Sequence, residues 1–418
     1  MTVNISKSKI CGKAQVPSSK SAAHRAVIAA AIAHGESKIC GVSECDDITA
    51  TLRAVEALGA EVRYDGNCVT VRGIESPPKA ALIDCGESGS TLRFMIPIAA
   101  AYGVNATFIG HGRLPERPID DIVTALSPLG ITFTRKGEYN LPLEISGSLR
   151  SADIEIAGNV SSQYLTGALF ASAVKGGKVS LTTELQSASY VDMTCNMIEQ
   201  FGGNVSVEHG CYTVTGGLTA QLLTAEGDWS AAAFFCEAAA LGGEITLAGL
   251  NPKSHQGDKA CIDIFRQIGA DISYKDGVYA MKSGRLNAID MDAGNIPDMV
   301  PAVAVTLAFA NGKSTIYNAA RLRIKESDRL LAVSENLGKM GIKTELYDDR
   351  LVIYGAKPHS ARIDSVNDHR IAMAFAGAAP FIDGGLIIDG AESVAKSFPD
   401  YFKVLNSIGG DSHVLNNG

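Results

Sequence analysis

Leu58-Gly59-Ala60-Glu61-Val62 holds a helix end, a glycine and the start of a short alternating strand. The signature returns as Leu129-Gly130-Ile131-Thr132-Phe133, Phe201-Gly202-Gly203-Asn204-Val205, Ile268-Gly269-Ala270-Asp271-Ile272 and Met340-Gly341-Ile342-Lys343-Thr344. A truncated sixth copy is Ile408-Gly409-Gly410-Asp411. The first glycines are spaced 71, 72, 67, 72 and 68 residues apart. Glycine at the point where a helix stops supplies the left-handed cap other residues resist, and a sustained period means a repeated supersecondary unit. Hairpin-type turns follow in Tyr64-Asp65-Gly66-Asn67 and Lys275-Asp276-Gly277-Val278.

Upstream of each copy an aspartate opens the helical run as an N-cap or first-turn residue: Asp47, Asp120, Asp192, Asp258, Asp328 and Asp400. Earlier apolar stretches, such as Ala26–Ala33, Thr91–Ala101 and Ile371–Ala379, read as a second helix per unit. The unit is therefore β-α-β-α-β-β and the fold class α/β (α+β), with two similar domains of three units each. A chain of 418 residues is too long for one core. Crossings near 14–18 and 224–228 would make one domain of residues 1–17 plus 227–418 and another of 18–226, hinged at the crossings.

The net charge of −8 disfavours a nucleic-acid binder, so any anion site must be a local cluster. The nine cysteines form no Cys-x-x-Cys, and their number is odd, which points to reduced thiols and a cytoplasmic setting. No histidine pair has metal-ligand spacing, so neither metal nor cofactor is expected. The apolar runs Phe94–Val104 and Met299–Ala310 are too short to span a bilayer and read as buried helices. Asn311-Gly312-Lys313-Ser314-Thr315 imitates the end of a phosphate loop, but Leu307 stands where the first glycine is required. No dinucleotide fingerprint opens a helix after a strand.

The helix starts carry the chemistry. In Pro17-Ser18-Ser19-Lys20-Ser21-Ala22-Ala23-His24-Arg25, Ser18 or Ser19 caps a helix, Lys20 and Ser21 occupy its first turn, and Arg25 lies one turn on from Ser21. Arg117 precedes another helix, with Pro118 at its entry. Lys325, Glu326 and Arg329 stand at a third, with Lys325 and Arg329 one turn apart, Lys396 at a fourth, and Asp368-His369-Arg370 at a fifth. Cations are ordinarily disfavoured at helix N-termini, so their recurrence there implies a shared anion. Gly86-Glu87-Ser88-Gly89-Ser90-Thr91 lets the backbone approach a ligand, and Ser161-Ser162-Gln163-Tyr164 and Ser187-Ala188-Ser189-Tyr190 offer hydroxyls at other entries. Asp298, after Asn295-Ile296-Pro297, and Glu326 are acids placed among cations, fit for proton transfer.

Taken together, Ser-Ser-Lys-Ser-x-x-His-Arg, Glu-Arg-Pro-Ile, Ser-Ser-Gln-Tyr, Ile-Pro-Asp, Lys-Glu-Ser-Asp-Arg, Asp-His-Arg-Ile-Ala-Met-Ala and Lys-Ser-Phe-Pro-Asp-Tyr resemble the 5-enolpyruvylshikimate-3-phosphate synthase family from Lys20 to Tyr401. The resemblance implies an inside-out α/β barrel in each domain and an active site in the cleft between them. It also implies transfer of the carboxyvinyl group of phosphoenolpyruvate to the 5-hydroxyl of shikimate 3-phosphate by a monomer, without nucleic acid or membrane as partner. On matching positions, shikimate 3-phosphate would be held by Lys20, Ser21, Arg25, Ser161, Ser162, Gln163, Ser187, Asp298 and Lys325. Phosphoenolpyruvate would meet Lys20, Gly89, Arg117, Gln163, Arg329, Arg370 and Lys396, and Asp298, Glu326 and Lys20 would be catalytic. Glu87-Ser88 stands where many members have Asn-Ala, Ser90 replaces a common Thr, and Arg321 replaces an Asn found in some members. Two other readings stay open: the sister enzyme acting on UDP-N-acetylglucosamine, and a non-catalytic repeat scaffold. The sister family shows Lys-Asn in place of Lys20-Ser21, Asp-Leu-Arg in place of Asp368-His369-Arg370, and often a cysteine in the region of Gly110–Arg117.

Overall fold

The computed structural model describes the chain except Gly66, Ala152, Gly216 and 416–418, so the turn expected at Tyr64-Asp65-Gly66-Asn67 lies partly outside the described residues. The chain divides into two compact units, Met1–Pro17 with Glu226–Gly418, and Ser18–Ala225. Each unit contains three four-stranded sheets among the described residues.

One sheet shows the plan. The strand Ala80–Asp84 leads through the helix Gly89–Tyr102 to a parallel partner, Asn105–Ile109. The helix Asp120–Leu126 follows, and then the hairpin of Ile131–Arg135 and Leu143–Gly147, the latter pairing back onto Asn105–Ile109. Spatial order is therefore first, second, fourth, third, and the other sheets repeat the arrangement, with Leu222–Thr224 taking the first strand's place in one and Thr2–Ser6 the fourth strand's place in another. The helical connection between the first two strands is what lets them run parallel.

Three strands are supplied from a distance. Leu222–Thr224 pairs in parallel with Glu36–Cys40, and Cys11–Gln15 with Glu244–Ala248. The latter strand runs in sequence toward the helix Lys20–Ile32 but belongs to the other unit's sheet. Thr2–Ser6 lies between Leu386–Asp389 and Asp411–Leu415. The sixth repeat is thus not truncated; the N-terminus completes it.

The six signature glycines, Gly59, Gly130, Gly202, Gly269, Gly341 and Gly409, all take positive φ, from 82° to 125°. Their spacing marks where each outer helix must turn back into a strand. At Gly269 a Cβ would also overlap the Arg285 carbonyl oxygen.

The helices fall into two kinds. Lys20–Ile32, Gly89–Tyr102 and Ser162–Lys175 in one unit, and Trp229–Leu241, Val300–Leu307 and His369–Ala378 in the other, are buried over most of their lengths. Their sequences are apolar or small on every side, which leaves no face for water. Close packing follows from the small residues: a Cβ at Gly167 would stand 2.8 Å from Pro97 Cγ and 3.1 Å from Phe94 Cα. The second helix of each repeat, such as Asp46–Ala57 or Arg329–Lys339, is amphipathic and part-exposed. Each unit has its own apolar core, one containing Trp229, Phe265, Phe375 and Tyr401, the other Phe94, Phe108, Phe170 and Phe201.

Several local expectations need correction. Asp192 lies in the second turn of Ala188–Gln200, because Ser187 caps that helix. Pro118 precedes the N-cap Ile119 and so stands outside its helix. Gly312–Tyr317 is a strand, which disposes of the phosphate-loop imitation. Not all thiols are reduced: Cys40 and Cys68 face each other across adjacent antiparallel strands and are joined as a disulfide. Local spacing could not reveal a pair separated by 28 positions. No helix among the described residues is long and apolar enough to cross a membrane.

Glycine at a positive φ spares a cost of about 1–2 kcal/mol for any other residue. Gly277 has φ +82° with open space around it, whereas Gly269 has φ +125° and the Arg285 carbonyl against it. Gly277→Ala should therefore cost about 1 kcal/mol and Gly269→Ala upward of about 3 kcal/mol, as read by denaturant unfolding. Equal losses would remove the steric part of the argument.

Candidate functional site

In the Ser18–Ala225 unit the central helices bring their N-terminal turns together. Ser19 caps Lys20–Ile32 by accepting the Ala22 N–H, which sets Lys20 in the first turn, where its Nζ lies 2.6 Å from Asp47 Oδ2. Both side chains are about nine-tenths buried, at 12% and 11% exposure. Arg25 is fully buried. Its guanidinium donates to Thr194 Oγ1 at 2.9 Å, the Ser21 carbonyl at 2.7 Å, Thr166 Oγ1 at 3.3 Å and the Tyr190 carbonyl at 2.9 Å. Burial lowers its pKa to about 10. Arg25 therefore ties three helix starts together, with Ser21 on the turn above.

Gln163 bridges two more. Ser161 caps Ser162–Lys175, and the Gln163 amide accepts from Arg93 Nη1 at 2.8 Å and donates to Ser90 Oγ at 2.9 Å. Arg93 also donates to the Pro118 carbonyl at 3.0 Å, fixing the segment that carries Arg117. Arg117 is buried at 5% exposure, and its guanidinium lies over the bare face of Gly89, where a methyl would overlap Nη1. Ser88, which replaces the common alanine, caps the Gly89–Tyr102 helix by accepting the Thr91 N–H. Ser187 holds a left-handed conformation, φ 55°, at the start of Ala188–Gln200.

The other unit holds a denser charge cluster. Asp298, in the short 3-10 turn ahead of Val300–Leu307, accepts from Arg329 Nη1 at 2.8 Å and Arg370 Nη2 at 2.9 Å, with Lys325 Nζ at 4.0 Å. Burial pushes its carboxyl upward, but Arg370, Lys325 and Arg329 together hold it well below the ordinary range. Arg329, 1% exposed, is gripped from two other sides by Glu326 Oε2 at 2.7 Å and Asp368 Oδ2 at 2.8 Å. Burial lowers the Lys325 ammonium to about 8. Asp368 caps His369–Ala378 through the Arg370 N–H at 2.9 Å and accepts from Ser327 at 2.9 Å. Lys396 Nζ donates to the Asn367 carbonyl at 2.6 Å, which two consecutive left-handed residues, Val366 and Asn367, aim toward it.

The sequence reading placed these cations at helix entries, and the geometry refines that. Lys325 follows a 3-10 segment, Ala320–Ile324, and Lys396 ends another, Ala391–Lys396. Lys325 and Arg329 are not one helical turn apart, since the helix begins at Arg329; they meet through Asp298 instead. Arg321 donates to the Gly294 carbonyl at 2.7 Å, bracing the Asp298 segment. Asp47 was legible as a helix-start aspartate and Asp368 as a helix-entry residue, but the positioning roles of Asp47, Arg93 and Asp368 depend on partners 27, 70 and 39 residues away. Asp258 went unread as a site neighbour: fully buried, bonded by Ser230 and raised to about 7 by burial and by Asp298. No group of three or more His, Cys, Asp or Glu side chains among the described residues could hold a metal ion.

These clusters define a class of enzyme that handles anions: buried cations, several with internal carboxylate partners, gathered near helix N-termini. The comparisons name the family. Residues 5–405 match the family model of EPSP synthase (3-phosphoshikimate 1-carboxyvinyltransferase). A 3-phosphoshikimate 1-carboxyvinyltransferase of Clostridium kluyveri is 38% identical over 419 residues, 98% of this chain and 97% of that protein. One from Clostridioides difficile is 37% identical over 428 residues, 98% of each chain. The EPSP synthase structure from Acinetobacter baumannii aligns with TM-score 0.81 at 27% identity, covering 99% of this chain and 100% of that one. The enolpyruvyl transferase NikO from Streptomyces tendae, at 16% identity and TM-score 0.76, shares the fold. The chain belongs to the EPSP synthase family.

A buried acid with a raised pKa keeps its proton in the folded state after the unfolded chain has lost it. Stability is then greatest below the ordinary 3.8 and falls as pH rises toward about 7. Asp258→Asn should gain stability relative to the parent over that window, read as a melting-temperature difference that widens with pH. Glu237, also buried and pushed up, titrates in both proteins and cancels in the comparison. A difference flat with pH would place the Asp258 carboxyl at its ordinary value.

Proposed function

We propose that the two clusters serve one addition–elimination reaction on two anionic substrates. As a member of this family the chain is an enzyme that transfers the enolpyruvyl group of phosphoenolpyruvate to shikimate 3-phosphate, releasing phosphate. The observation that carries the assignment of residues is Asp298, a carboxylate kept ionised by Lys325, Arg329 and Arg370.

A carboxylate so depressed is a poor base at rest. It is a counter-ion first. When phosphoenolpyruvate brings its own carboxylate and phosphate to Arg329, Arg370, Lys396, Arg117 and Lys20, Arg329 and Arg370 gain a second anion and grip Asp298 less. Its proton affinity then rises toward that of a useful base. In this reading Asp298 accepts the proton of the attacking 5-hydroxyl, and Glu326 with Lys20 delivers a proton to the methylene carbon; elimination reverses both transfers. Ser161, Ser162 and Ser187 bind the phosphate of shikimate 3-phosphate. Lys20, Ser21, Arg25 and Lys325 hold its other polar groups, and Gln163 stands between the substrates. The cations offset the repulsion between two anions, and their internal bonds pre-pay their ordering. We further propose that the enzyme is a cytoplasmic monomer whose two units hinge at their chain crossings. Seven of the nine cysteines are free thiols, and the Cys40–Cys68 pair is the exception to a fully reduced set.

The family match and Lys20-Ser21, with Asp368-His369-Arg370, favour shikimate 3-phosphate over UDP-N-acetylglucosamine as acceptor. A phosphate-release assay with each acceptor in turn tests this: release is expected with shikimate 3-phosphate alone, and release with the sugar nucleotide instead would overturn the assignment.

Glu326→Gln should leave substrate affinity near that of the parent and lower turnover by about a hundredfold or more. Steady-state kinetics with near-normal turnover would remove Glu326 from proton transfer.

Gly89→Ala would press a methyl into the Arg117 guanidinium rather than into empty space. KM for phosphoenolpyruvate and the inhibition constant of glyphosate, a phosphoenolpyruvate mimic, should both rise, by about tenfold or more. Unchanged constants would separate Gly89 from the phosphoenolpyruvate subsite.

A further inference from the structure

We infer that Cys40 and Cys68 form a thiol–disulfide exchange site that tunes the grip on phosphoenolpyruvate through Lys20. The inference rests on the assignment of Lys20 to that substrate.

Cys40 ends the strand Glu36–Cys40 and Cys68 opens Cys68–Arg72, and the two are register partners. The disulfide closes a ring that contains the whole helix Asp46–Ala57 and hence Asp47, the partner of Lys20. From Cys40 the path to Lys20 runs a few residues along the backbone, with hydrogen bonds tying it down at Gly41, Ser43 and Cys45. The Gly41 N–H donates to the Asn67 carbonyl at 2.8 Å, beside Cys68. The Ser43 N–H donates to Ser18 Oγ at 3.0 Å, and the two hydroxyls lie 2.7 Å apart. The Cys45 N–H donates to the Ser43 carbonyl at 3.0 Å, and Cys45 is the N-cap of the helix carrying Asp47.

The same few residues hold both points where the chain leaves this unit. Ser18, bonded to Ser43, begins the unit, and the N–H of Ala225, its last residue, donates to the Cys40 carbonyl at 2.8 Å. Breaking the sulfur–sulfur bond forces the two sulfurs apart to van der Waals contact at the ends of paired strands. The displacement falls on residues 41–45, which carry the Ser18 contact on one side and the Asp47 helix on the other. Neither cysteine belongs to the substrate-binding set, so the site is free to act as a control point.

The chemical partner is a small-molecule thiol–disulfide couple. Cys40 is the more exposed of the pair; Cys68 is 9% exposed. The Cys40 thiolate attacks one sulfur of an oxidised disulfide and expels a thiolate, leaving a mixed disulfide. The Cys68 thiolate then attacks Cys40 Sγ, forms the internal bond and expels the second thiolate. The protein loses two electrons and two protons, and both protons go to the departing thiols.

Glutathione, reduced and oxidised, is the probe. The full-length enzyme is equilibrated across ratios of the two, alkylated, and assayed, with the Cys40–Cys68 state read by peptide mass. Oxidation is expected to lower KM for phosphoenolpyruvate by about fivefold or more, and to move KM for shikimate 3-phosphate in the same direction, since Lys20 is assigned to both substrates. Cys11→Ser should keep the response, and Cys40→Ser/Cys68→Ser should lose it. An active enzyme with the same KM in both states, or a response that survives the double substitution, overturns the inference. So does a pair that stays reduced in excess oxidised glutathione. If the double variant does not fold, the oxidised and reduced parent enzyme decide the matter alone. Absence of turnover in either state would fault the assignment of function instead, while the peptide mass still decides whether the pair exchanges.

Discussion

A buried cation must have its donors met: by carboxylates around Arg329, Arg370 and Lys20, and by hydroxyl and carbonyl oxygens around Arg25. That constraint shapes both clusters more than any other interaction. Arg329, at 1% exposure, has three carboxylates around it, and Asp368, at 0%, is the one that also caps a helix. Stripping one partner from such a group costs several kcal/mol, roughly 3–5. The resting protein meets that demand with its own acids: Asp47 for Lys20, Asp298 and Asp368 for Arg329, Asp298 for Arg370. On the proposed assignment of residues, these acids hold the electrostatic place that a substrate anion would take during catalysis.

The scaffold exists to make that arrangement repeatable. A helix with no polar face can be surrounded on every side, and three such helices pack in each unit with their first turns meeting. Gln163 and Arg93 join two of those turns directly, and Asp298 and Arg370 join two in the other unit. Their N–H groups add fixed positive potential that requires no reorganisation. Sheets with one strand order then cover the helices, and the signature glycines let each outer helix reverse within a residue or two.

The periodic features of this fold were legible because they recur. Six glycines at nearly constant spacing gave the repeat, and the six positive φ values give its physical cause. The serine and aspartate caps at Ser19 and Asp328 were legible for the same local reason, whereas Asp368 was read only as a helix-entry residue and proves to be a cap. What stayed hidden was pairing at a distance. No local pattern says that Thr2–Ser6 completes the last repeat, that Cys40 meets Cys68, or that Arg25 spends its donors on Thr166, Thr194 and Tyr190. The cation clusters were found as residues and missed as geometry: Lys325 and Arg329 share Asp298 rather than a helix face.

On the proposed mechanism Asp298 is a counter-ion at rest and becomes a base when substrate anions draw off its cations. Carbon-13 NMR of the aspartate carboxyls, with Asp298 assigned from the Asp298→Asn spectrum, measures its titration directly. The account predicts a carboxyl well below the ordinary range in the free enzyme and a clear upward move when shikimate 3-phosphate and a non-reacting phosphoenolpyruvate mimic are bound together. A titration that stays put on binding would contradict it.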